Sequence, residues 1–344
     1  MTNLFSKISH ALWTILLLCL CIQAPAIESE EDAFVFDDLP LETLLEYPDW
    51  FKKSFLDLPA DLQDALSNGK QGIIVYFGQK RCPYCKMLLE VNFGLNDITT
   101  YTRRYFDIIP IDIWSTEEVT TLTGETLTQR EFALGEKTNF TPSLIFYDAQ
   151  GKEALRLRGY YPPYQFRAAL EYVADHHYQK ESFPDYLARG ESGTAFELGG
   201  LNEEDFYIPP PHNLDRSHFP GERPLVVYFE QGNCHACDVL HGQPLRDPAI
   251  NSLIKEFDNV QLDIKSDTLI ITPDGRKTNV REWAKELGIF YTPSLLFFDE
   301  KGKEIIRVDS VVRFFRLRNV INYITSRGYL SEPDYQQWRA GRSQ

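Results

Sequence analysis

The chain contains an internal repeat that spans most of its length. The same short segments occur twice in one order, and each second copy follows its counterpart after 149 to 152 residues. The matching segments are the apolar runs 74–77 and 226–229, the cysteine pairs 82/85 and 234/237, the Thr-Pro dipeptides 141–142 and 292–293, and the turns 148–151 and 299–302. A near-constant offset is typical of a duplicated domain, so the chain is predicted to fold into two similar units.

The boundaries of the two units follow from length and composition. The 344 residues leave room for two domains of about 150 residues each. We place the first unit at 27–187 and the second at 224–344. The residues between them, 188–223, are rich in Gly, Glu and Pro and are predicted to be a linker followed by an N-terminal extension of the second unit.

The first 26 residues have the pattern of a secretory signal peptide. Lys7 supplies the positive start, residues 11–22 form the apolar core, and Ala24-Pro25-Ala26 matches a cleavage site. The core is shorter than the ~20 apolar residues of a spanning helix, although an uncleaved anchor stays open as the alternative. The cysteines beyond this segment all belong to the two Cys-x-x-Cys pairs. We therefore expect an exported, periplasmic protein whose cysteines do redox work.

The residues around the first cysteine pair predict a strand, a turn and a helix. Residues 73–77 are apolar and rich in β-branched and aromatic side chains, which is typical of a buried strand. The residues that follow contain no Gly before Gly94, and Pro83 suits the first turn of a helix. Cys82 then lies at the helix N-terminus, where the helix dipole favours a thiolate and lowers the pKa of the thiol. Cys85 lies close enough to attack a mixed disulfide formed on Cys82, and the second unit repeats this arrangement.

Other local patterns predict further helices and turns. Residues 41–46 and 59–66 have helical spacing and are expected to form two packing helices before the first strand. Gly124 predicts a hairpin turn. Thr128, followed by Glu131, has the pattern of a capping box at the start of a helix.

A Cys-x-x-Cys at a helix start, followed later in the unit by a Thr-Pro that opens a strand, resembles the thioredoxin superfamily. The resemblance covers nearly all of the chain beyond the signal segment. It implies an α/β protein with two tandem thioredoxin folds, each a central mixed β-sheet flanked by helices. The first unit is most similar to periplasmic thioredoxins of the SoxW type, because it contains Cys82-Pro-Tyr-Cys-Lys86, Ile111-Asp-Ile-Trp114 and Gly159-Tyr-Tyr-Pro-Pro163.

The resemblance also assigns roles to residues. It implies that Pro142 and Pro293 are cis and lie against the cysteines, and that Thr141 and Thr292 pair with an extended substrate chain. The catalytic residues would be Cys82, Cys85, Cys234 and Cys237. The implied activity is thiol–disulfide exchange on protein disulfides without a cofactor or metal, with a membrane thiol transporter as the electron donor.

The chain departs from cytoplasmic thioredoxins at two positions. No Trp precedes the first cysteine, and the buried acid six residues before it is replaced by Tyr76 and, in the second unit, by Tyr228. We therefore expect proton transfer at the second cysteine of each pair to use water or another group. His241, seven residues after Cys234, either lines the second site or lies on a solvated helix face.

The charges beside the two pairs differ. The first pair is flanked by the cations Lys80, Arg81 and Lys86. The second is flanked by the carboxylates Glu230 and Asp238 and by the imidazole of His235. Because positive charge stabilises a thiolate, the pKa of Cys82 is expected to be lower than that of Cys234. The first pair is then expected to have the less negative reduction potential. His235 is the residue that could offset the two carboxylates.

Three other interpretations stay open from the sequence alone. The four cysteines could share one zinc ion, although each pair has its own strand, helix and Thr-Pro. The protein could oxidise or isomerise disulfides instead of reducing them. It could also be a binding module or holdase that uses the groove without redox chemistry. The net charge of −15 disfavours nucleic acid and anionic membranes as partners, and the oligomeric state is left open.

Overall fold

The computed structural model describes residues 34–191 and 200–342. The predicted signal peptide at 1–26, and residues 192–199 of the predicted join, lie outside the described residues. The described chain forms two α/β units, each with a four-stranded mixed sheet and a two-stranded hairpin. The predicted fold class is therefore confirmed. In these two ranges no helix has the length and apolar character needed to cross a bilayer.

The sheet of the first unit is built around its first strand. The strands are β1 (Gly72–Gly78), β2 (Phe106–Asp112), β3 (Glu118–Thr120), β4 (Thr126–Thr128), β5 (Ser143–Tyr147) and β6 (Glu153–Arg158). The helices are α1 (Leu58–Ser67), α2 (Pro83–Met87), α3 (Asn96–Tyr105), α4 (Gln129–Gly135), α5 (Pro163–Ala174) and α6 (Phe183–Glu191). The order is β2-β1-β5-β6, with β1 parallel to β2 and antiparallel to β5, and β3 pairs with β4.

The second unit repeats this topology. Its strands are β7 (Leu225–Glu230), β8 (Asp258–Asp263), β9 (Leu269–Ile271), β10 (Lys277–Asn279), β11 (Ser294–Phe298) and β12 (Glu304–Val308). Its helices are α7 (His235–Gly242), α8 (Pro248–Ile254), α9 (Val280–Glu286), α10 (Phe314–Thr325), α11 (Gly328–Ser331) and α12 (Tyr335–Arg342). The sheet order is β12-β11-β7-β8, with β7 parallel to β8.

Both faces of the central strand are buried, which explains its unbroken apolar sequence. Ile74 and Tyr76 belong to the core that includes residues of α3 and α5. Ile73, Val75 and Phe77 belong to the opposite core, with residues of α1 and α4. Strand β7 alternates between two cores in the same way. Each cysteine pair thus follows the carboxyl end of a strand that is fixed on both faces.

Three of the local predictions are confirmed. The helix predicted at 59–66 is α1 (Leu58–Ser67). Gly124, in the left-handed region with φ of 82°, makes the turn between β3 and β4. Thr128 and Glu131 form a reciprocal capping box at the start of α4.

The helix predicted at 41–46 is wrong. This segment is irregular, and its N–H groups bond to the loop before the first cysteine instead of to carbonyls four residues back. Leu41 N–H donates to the carbonyl of Arg81 (3.1 Å), and Leu45 N–H donates to that of Lys80 (2.8 Å). The helical spacing reflects which leucines face the protein, whereas tertiary hydrogen bonds decide the backbone conformation.

The two units pack through the residues that precede their Thr-Pro dipeptides. Phe140 lies in the core of the second unit, with its ring centroid 5.3 Å from that of Tyr335. Tyr291 lies in the core of the first unit, 5.6 Å from the ring of Tyr161. Each unit therefore completes the hydrophobic core of the other.

Candidate active sites

The first cysteine pair lies where α2 begins. Cys82 is the N-cap of α2, and its Sγ accepts a hydrogen bond from the N–H of Cys85 (2.9 Å). The hydroxyl of Thr141 donates to the same sulfur (3.3 Å). The two cysteines form a disulfide, in which Cys82 is 3% exposed and Cys85 is fully buried. After reduction, these two donors would stabilise a thiolate on Cys82.

The Thr-Pro loop lies directly against this pair. The bond between Thr141 and Pro142 is cis, as predicted. Gln79 Nε2 donates to the hydroxyl of Thr141 (2.8 Å), and Trp114 Nε1 donates to Gln79 Oε1 (3.0 Å). This chain of hydrogen bonds holds the Thr141 hydroxyl in place beside Cys82. The sequence prediction did not include Gln79.

The second cysteine pair has the same geometry. Cys234 is the N-cap of α7, and its Sγ accepts a hydrogen bond from the N–H of Cys237 (3.1 Å). The hydroxyl of Thr292 is 3.4 Å from the Cys234 sulfur, and the bond to Pro293 is cis, as predicted. Cys234 and Cys237 form their own disulfide. Each unit thus has its own disulfide between the two cysteines of its pair, which is the arrangement that thiol–disulfide exchange requires. A zinc site shared by the four cysteines would have a different arrangement.

The three residues proposed to tune the thiols lie around the pairs. Arg81 is exposed. Lys86 faces Glu90 one turn along, at 3.6 Å, which offsets part of its charge. His235 is exposed and packs edge-on against Phe34, with 5.4 Å between ring centroids. Within the described residues none of the three forms a hydrogen bond to a cysteine sulfur.

Glu230 differs from the expectation, and one of the two alternatives for His241 is excluded. Glu230 is not an exposed flanking charge, because its side chain is fully buried and accepts a hydrogen bond from Gln261 Nε2 (2.9 Å). His241 is not on a solvated face. Its Nε2 lies 2.9 Å from a carboxylate oxygen of Glu230, and its Nδ1 lies 2.9 Å from one of Glu204.

The surroundings of His241 act on its pKa in opposite directions. Burial lowers the pKa, whereas the hydrogen bonds and charges of Glu230 and Glu204 outweigh burial and raise it above the ordinary value. The sequence signal for this cluster is strand periodicity: Glu230 lies two residues after Tyr228, on the same face of β7. His241 lies one helical turn after the buried Cys237, on the inner side of α7.

The second unit contacts the first site through Arg316, which the sequence prediction missed. Its Nη2 donates to the carbonyl of Thr141 (2.9 Å), and its guanidinium carbon lies 3.3 Å from the centroid of the Tyr84 ring. Tyr84 is the residue between Pro83 and Cys85 in the motif. The resemblance implies that the backbone of Thr141 pairs with a substrate chain. In this structure the guanidinium of Arg316 takes the place of the substrate at the Thr141 carbonyl.

Asp38 links the same elements from the N-terminal segment. Its carboxylate accepts a hydrogen bond from the Tyr84 hydroxyl (2.8 Å) and from the N–H groups of Phe315 and Arg316 (2.8 Å each). The N-cap residue of α10, Arg313, has no side-chain cap of its own. Asp38 therefore supplies the missing cap, and no local sequence pattern indicates a partner so distant in the chain.

The comparisons with known proteins agree with the repeat. A family model described as "Thioredoxin-like domain" matches residues 58–174 and 212–325. The comparison with curated proteins gave no match. A thioredoxin-fold protein from Helicobacter pylori is 22% identical, with 37% of this chain and 88% of that chain covered and a TM-score of 0.32. A disulphide isomerase from Xylella fastidiosa Temecula1 is 16% identical, with 43% and 99% covered and a TM-score of 0.23. The alkylhydroperoxide reductase protein AhpF from Enterococcus faecalis is 12% identical, with 79% and 100% covered and a TM-score of 0.25.

Proposed function

Because this chain belongs to the thioredoxin-like family in both of its halves, we propose that it is an exported thiol–disulfide oxidoreductase that reduces protein disulfides. One observation carries this proposal. In each unit the more exposed cysteine caps a helix, accepts a hydrogen bond from the N–H of the second cysteine, and lies beside the hydroxyl of a Thr-Pro loop. These are the parts that a nucleophilic thiolate and a resolving thiol need.

The mechanism follows from this geometry. In the reduced protein, the thiolate of Cys82 or Cys234 attacks one sulfur of a substrate disulfide, whose other sulfur leaves as a thiolate and takes up a proton. The buried thiol of Cys85 or Cys237 loses its proton and attacks the mixed disulfide. The second substrate sulfur then leaves, also taking up a proton, and the cysteine pair becomes a disulfide. Two electrons have passed from the protein to the substrate.

Export and partners complete the proposal. The signal-peptide pattern at 1–26 supports a periplasmic location, and so does the resemblance of the first unit to SoxW-type thioredoxins. Each oxidised pair must be reduced again for turnover. A membrane thiol transporter would supply these electrons in the cell, and dithiothreitol would supply them in the test tube.

Reduction of insulin disulfides by the full chain, with dithiothreitol as electron donor, tests the activity. Changing Cys82 and Cys234 together to Ser should abolish the reaction. Changing Cys85 and Cys237 together to Ser should instead accumulate mixed disulfides with substrate, visible on non-reducing gels. If only the variant lacking the first cysteines traps partners, the two roles are reversed.

The reduction potential of each pair decides the direction of electron flow. Values near those of thioredoxin would support reduction, whereas values as positive as those of strong oxidants would instead support disulfide formation. Full activity in cells of a variant without any of the four cysteines would favour the holdase alternative.

A further inference from the structure

The first site is closed by the second unit. Cys82 is 3% exposed, and the space beside it is a cavity of about 80 Å³ lined on one side by Tyr84 and Thr141 and on the other by Phe315 and Arg316. Water occupies about 30 Å³ per molecule in the liquid, so the cavity has space for small molecules but not for a peptide strand. A protein substrate cannot reach Cys82 while α10 lies in this position.

The group that fills the groove is a guanidinium in a specific environment. Arg316 stacks on Tyr84 and lies 4.9 Å from the centroid of Phe140. It donates to the carbonyl of Thr141 and more weakly, at 3.5 Å, to that of Val311. A flat cation between aromatic faces, with a carbonyl acceptor at its edge, is a favourable arrangement for arginine.

The same arginine lacks the partner that a buried cation usually has. Arg316 is 7% exposed, and within the described residues its guanidinium forms no ion pair, because the nearby Asp38 carboxylate bonds to the Arg316 backbone N–H and to the Tyr84 hydroxyl instead. Burying a charge without a counter-ion is costly, so its removal to water would recover hydration. A ligand that carries a guanidinium could therefore compete with Arg316 for this place in the groove.

Cys234 is also buried, at 7% exposure, but the second site lacks the guanidinium contact. The carbonyl of Thr292 is 3.6 Å from the sulfur of Cys234, and among the described residues no side chain of the first unit donates to it. Gln165 is the third residue of α5, and Arg316 is the third residue of α10. The first unit therefore has a glutamine at the position that matches Arg316. The guanidinium contact therefore belongs to the first site and not to the duplicated architecture.

We propose that the first site contains an arginine subsite, formed by the rings of Tyr84 and Phe140 and the carbonyl of Thr141. Arg316 fills this subsite in the closed structure. An arginine close to a disulfide of a protein substrate fills it when α10 moves away. The proposal rests on the proposed function and names the substrate class of its first site: disulfide-bonded segments with arginine beside the cysteine.

The test uses the full chain with Cys234 and Cys237 changed to Ser, so that only the first site reacts. Two disulfide-linked peptides serve as substrates, one with Arg next to the cysteine and one with Gln in its place. In the Arg316→Ala variant we expect kcat/KM for the Arg peptide to rise about tenfold over the parent, because the internal competitor is gone. On the same variant the Arg peptide should exceed the Gln peptide about fivefold or more.

Arg327→Ala is the matched control, since this exposed arginine of the second unit pairs with Glu300 away from the groove, and it should leave both rates unchanged. Circular dichroism checks folding, and Arg316→Met, which keeps an unbranched apolar stem, replaces the alanine variant if that does not fold. Equal rates for the two peptides, or no gain from removing Arg316, would overturn the arginine subsite. Failure of the full chain with all four cysteines intact to reduce even oxidised glutathione would instead overturn the proposed function.

Discussion

His241 and Glu230 form a buried pair, with the imidazole Nε2 2.9 Å from a carboxylate oxygen. Glu204 faces the other ring nitrogen, Gln261 bonds to Glu230, and the hydroxyl of Tyr207 lies 3.4 Å from His241 Nε2. The pair lies beneath the helix that carries the second cysteine pair and has no counterpart in the first unit, where the matching positions are Gly78 and Leu89. The two units therefore differ in the groups that are buried beneath the helix that carries their cysteines.

This pair should make stability depend on pH. The pKa of His241 is raised in the folded protein, since the two carboxylates outweigh the effect of burial. A raised pKa contributes stability that is complete below the unfolded pKa of about 6.5 and is lost as pH rises through the folded pKa. The free-energy difference between the parent and His241→Leu should therefore be largest at pH 5.5–6, at about 3 kcal/mol, and should shrink at higher pH.

Urea unfolding across this pH range measures the effect. The control is His177→Leu. His177 is partly exposed, and it pairs at 3.5 Å with Glu181, a carboxylate four residues further along the chain. It should change stability by less than about 0.5 kcal/mol. A pH-independent cost for His241→Leu would mean that the imidazole is neutral in the folded protein.

The thiolate of Cys82 should form at lower pH than that of Cys234. Arg316 and Arg339 line the cavity beside Cys82, in addition to Arg81, and these three cations outnumber the one lining carboxylate, Asp38. The second site has the exposed Asp238. We expect a difference of about one pH unit in the midpoints.

The measurement is alkylation against pH on two full-length variants, each lacking one cysteine pair. The two variants are compared by the pH midpoint of alkylation and not by its absolute rate, because the rate also depends on how exposed each cysteine is. Separate domains are unsuitable, since Phe140 and Tyr291 belong to the core of the opposite unit. A lower midpoint for Cys234 would show that His235 outweighs the surrounding carboxylates.

Removing the carboxylate of Asp38 should destabilise the protein although no catalytic atom is touched. Asp38→Ala deletes the cap of α10 and the acceptor for the Tyr84 hydroxyl. We expect a loss of about 2 kcal/mol in unfolding free energy. Asp37→Ala is the control, because Asp37 is exposed and, among the described residues, its carboxylate bonds to the nearby N–H of Leu39 alone. Equal effects of the two substitutions would argue against the capping role.

Phe140→Ala should lower the stability of the second unit, although Phe140 belongs to the first. Its ring packs in the core with Tyr335 and beside Arg316. We expect a loss of about 3–5 kcal/mol and faster hydrogen exchange in α12. Phe55→Ala is the matched control, because Phe55 is fully exposed and its loss should change little. Unchanged exchange in α12 would mean that the units are stabilised independently.

The sequence could predict what depends on neighbours in the chain. The apolar runs of β1 and β7, the turn at Gly124 and the capping box at Thr128 are set by residues a few positions apart. The positions of the cysteines at helix starts follow from the same local patterns. The cis prolines came from the resemblance, which carries information about distant contacts that periodicity does not.

The sequence could not predict what depends on the packing of one unit against the other. The helical spacing at 41–46 gave no sign that its N–H groups bond to the loop at Lys80 and Arg81. The sequence pattern of α10 does not distinguish Arg316 from its neighbours, and only the folded structure places it beside Thr141. Glu230 looked like a surface charge because it ends a strand, but its alternation with Tyr228 turns it inward toward His241.

The bond from Phe315 to Asp38 joins residues 277 positions apart, and this separation has a consequence for timing. A ribosome makes the chain from its N-terminus, so the segment that carries Asp38 emerges long before α10 exists. Until the last part of the chain has been made, Tyr84 and the first cysteine pair have no cover. We therefore expect the first cysteine pair to be more accessible to disulfides of other proteins in the unfinished chain than in the completed protein, where α10 must move before a substrate can enter.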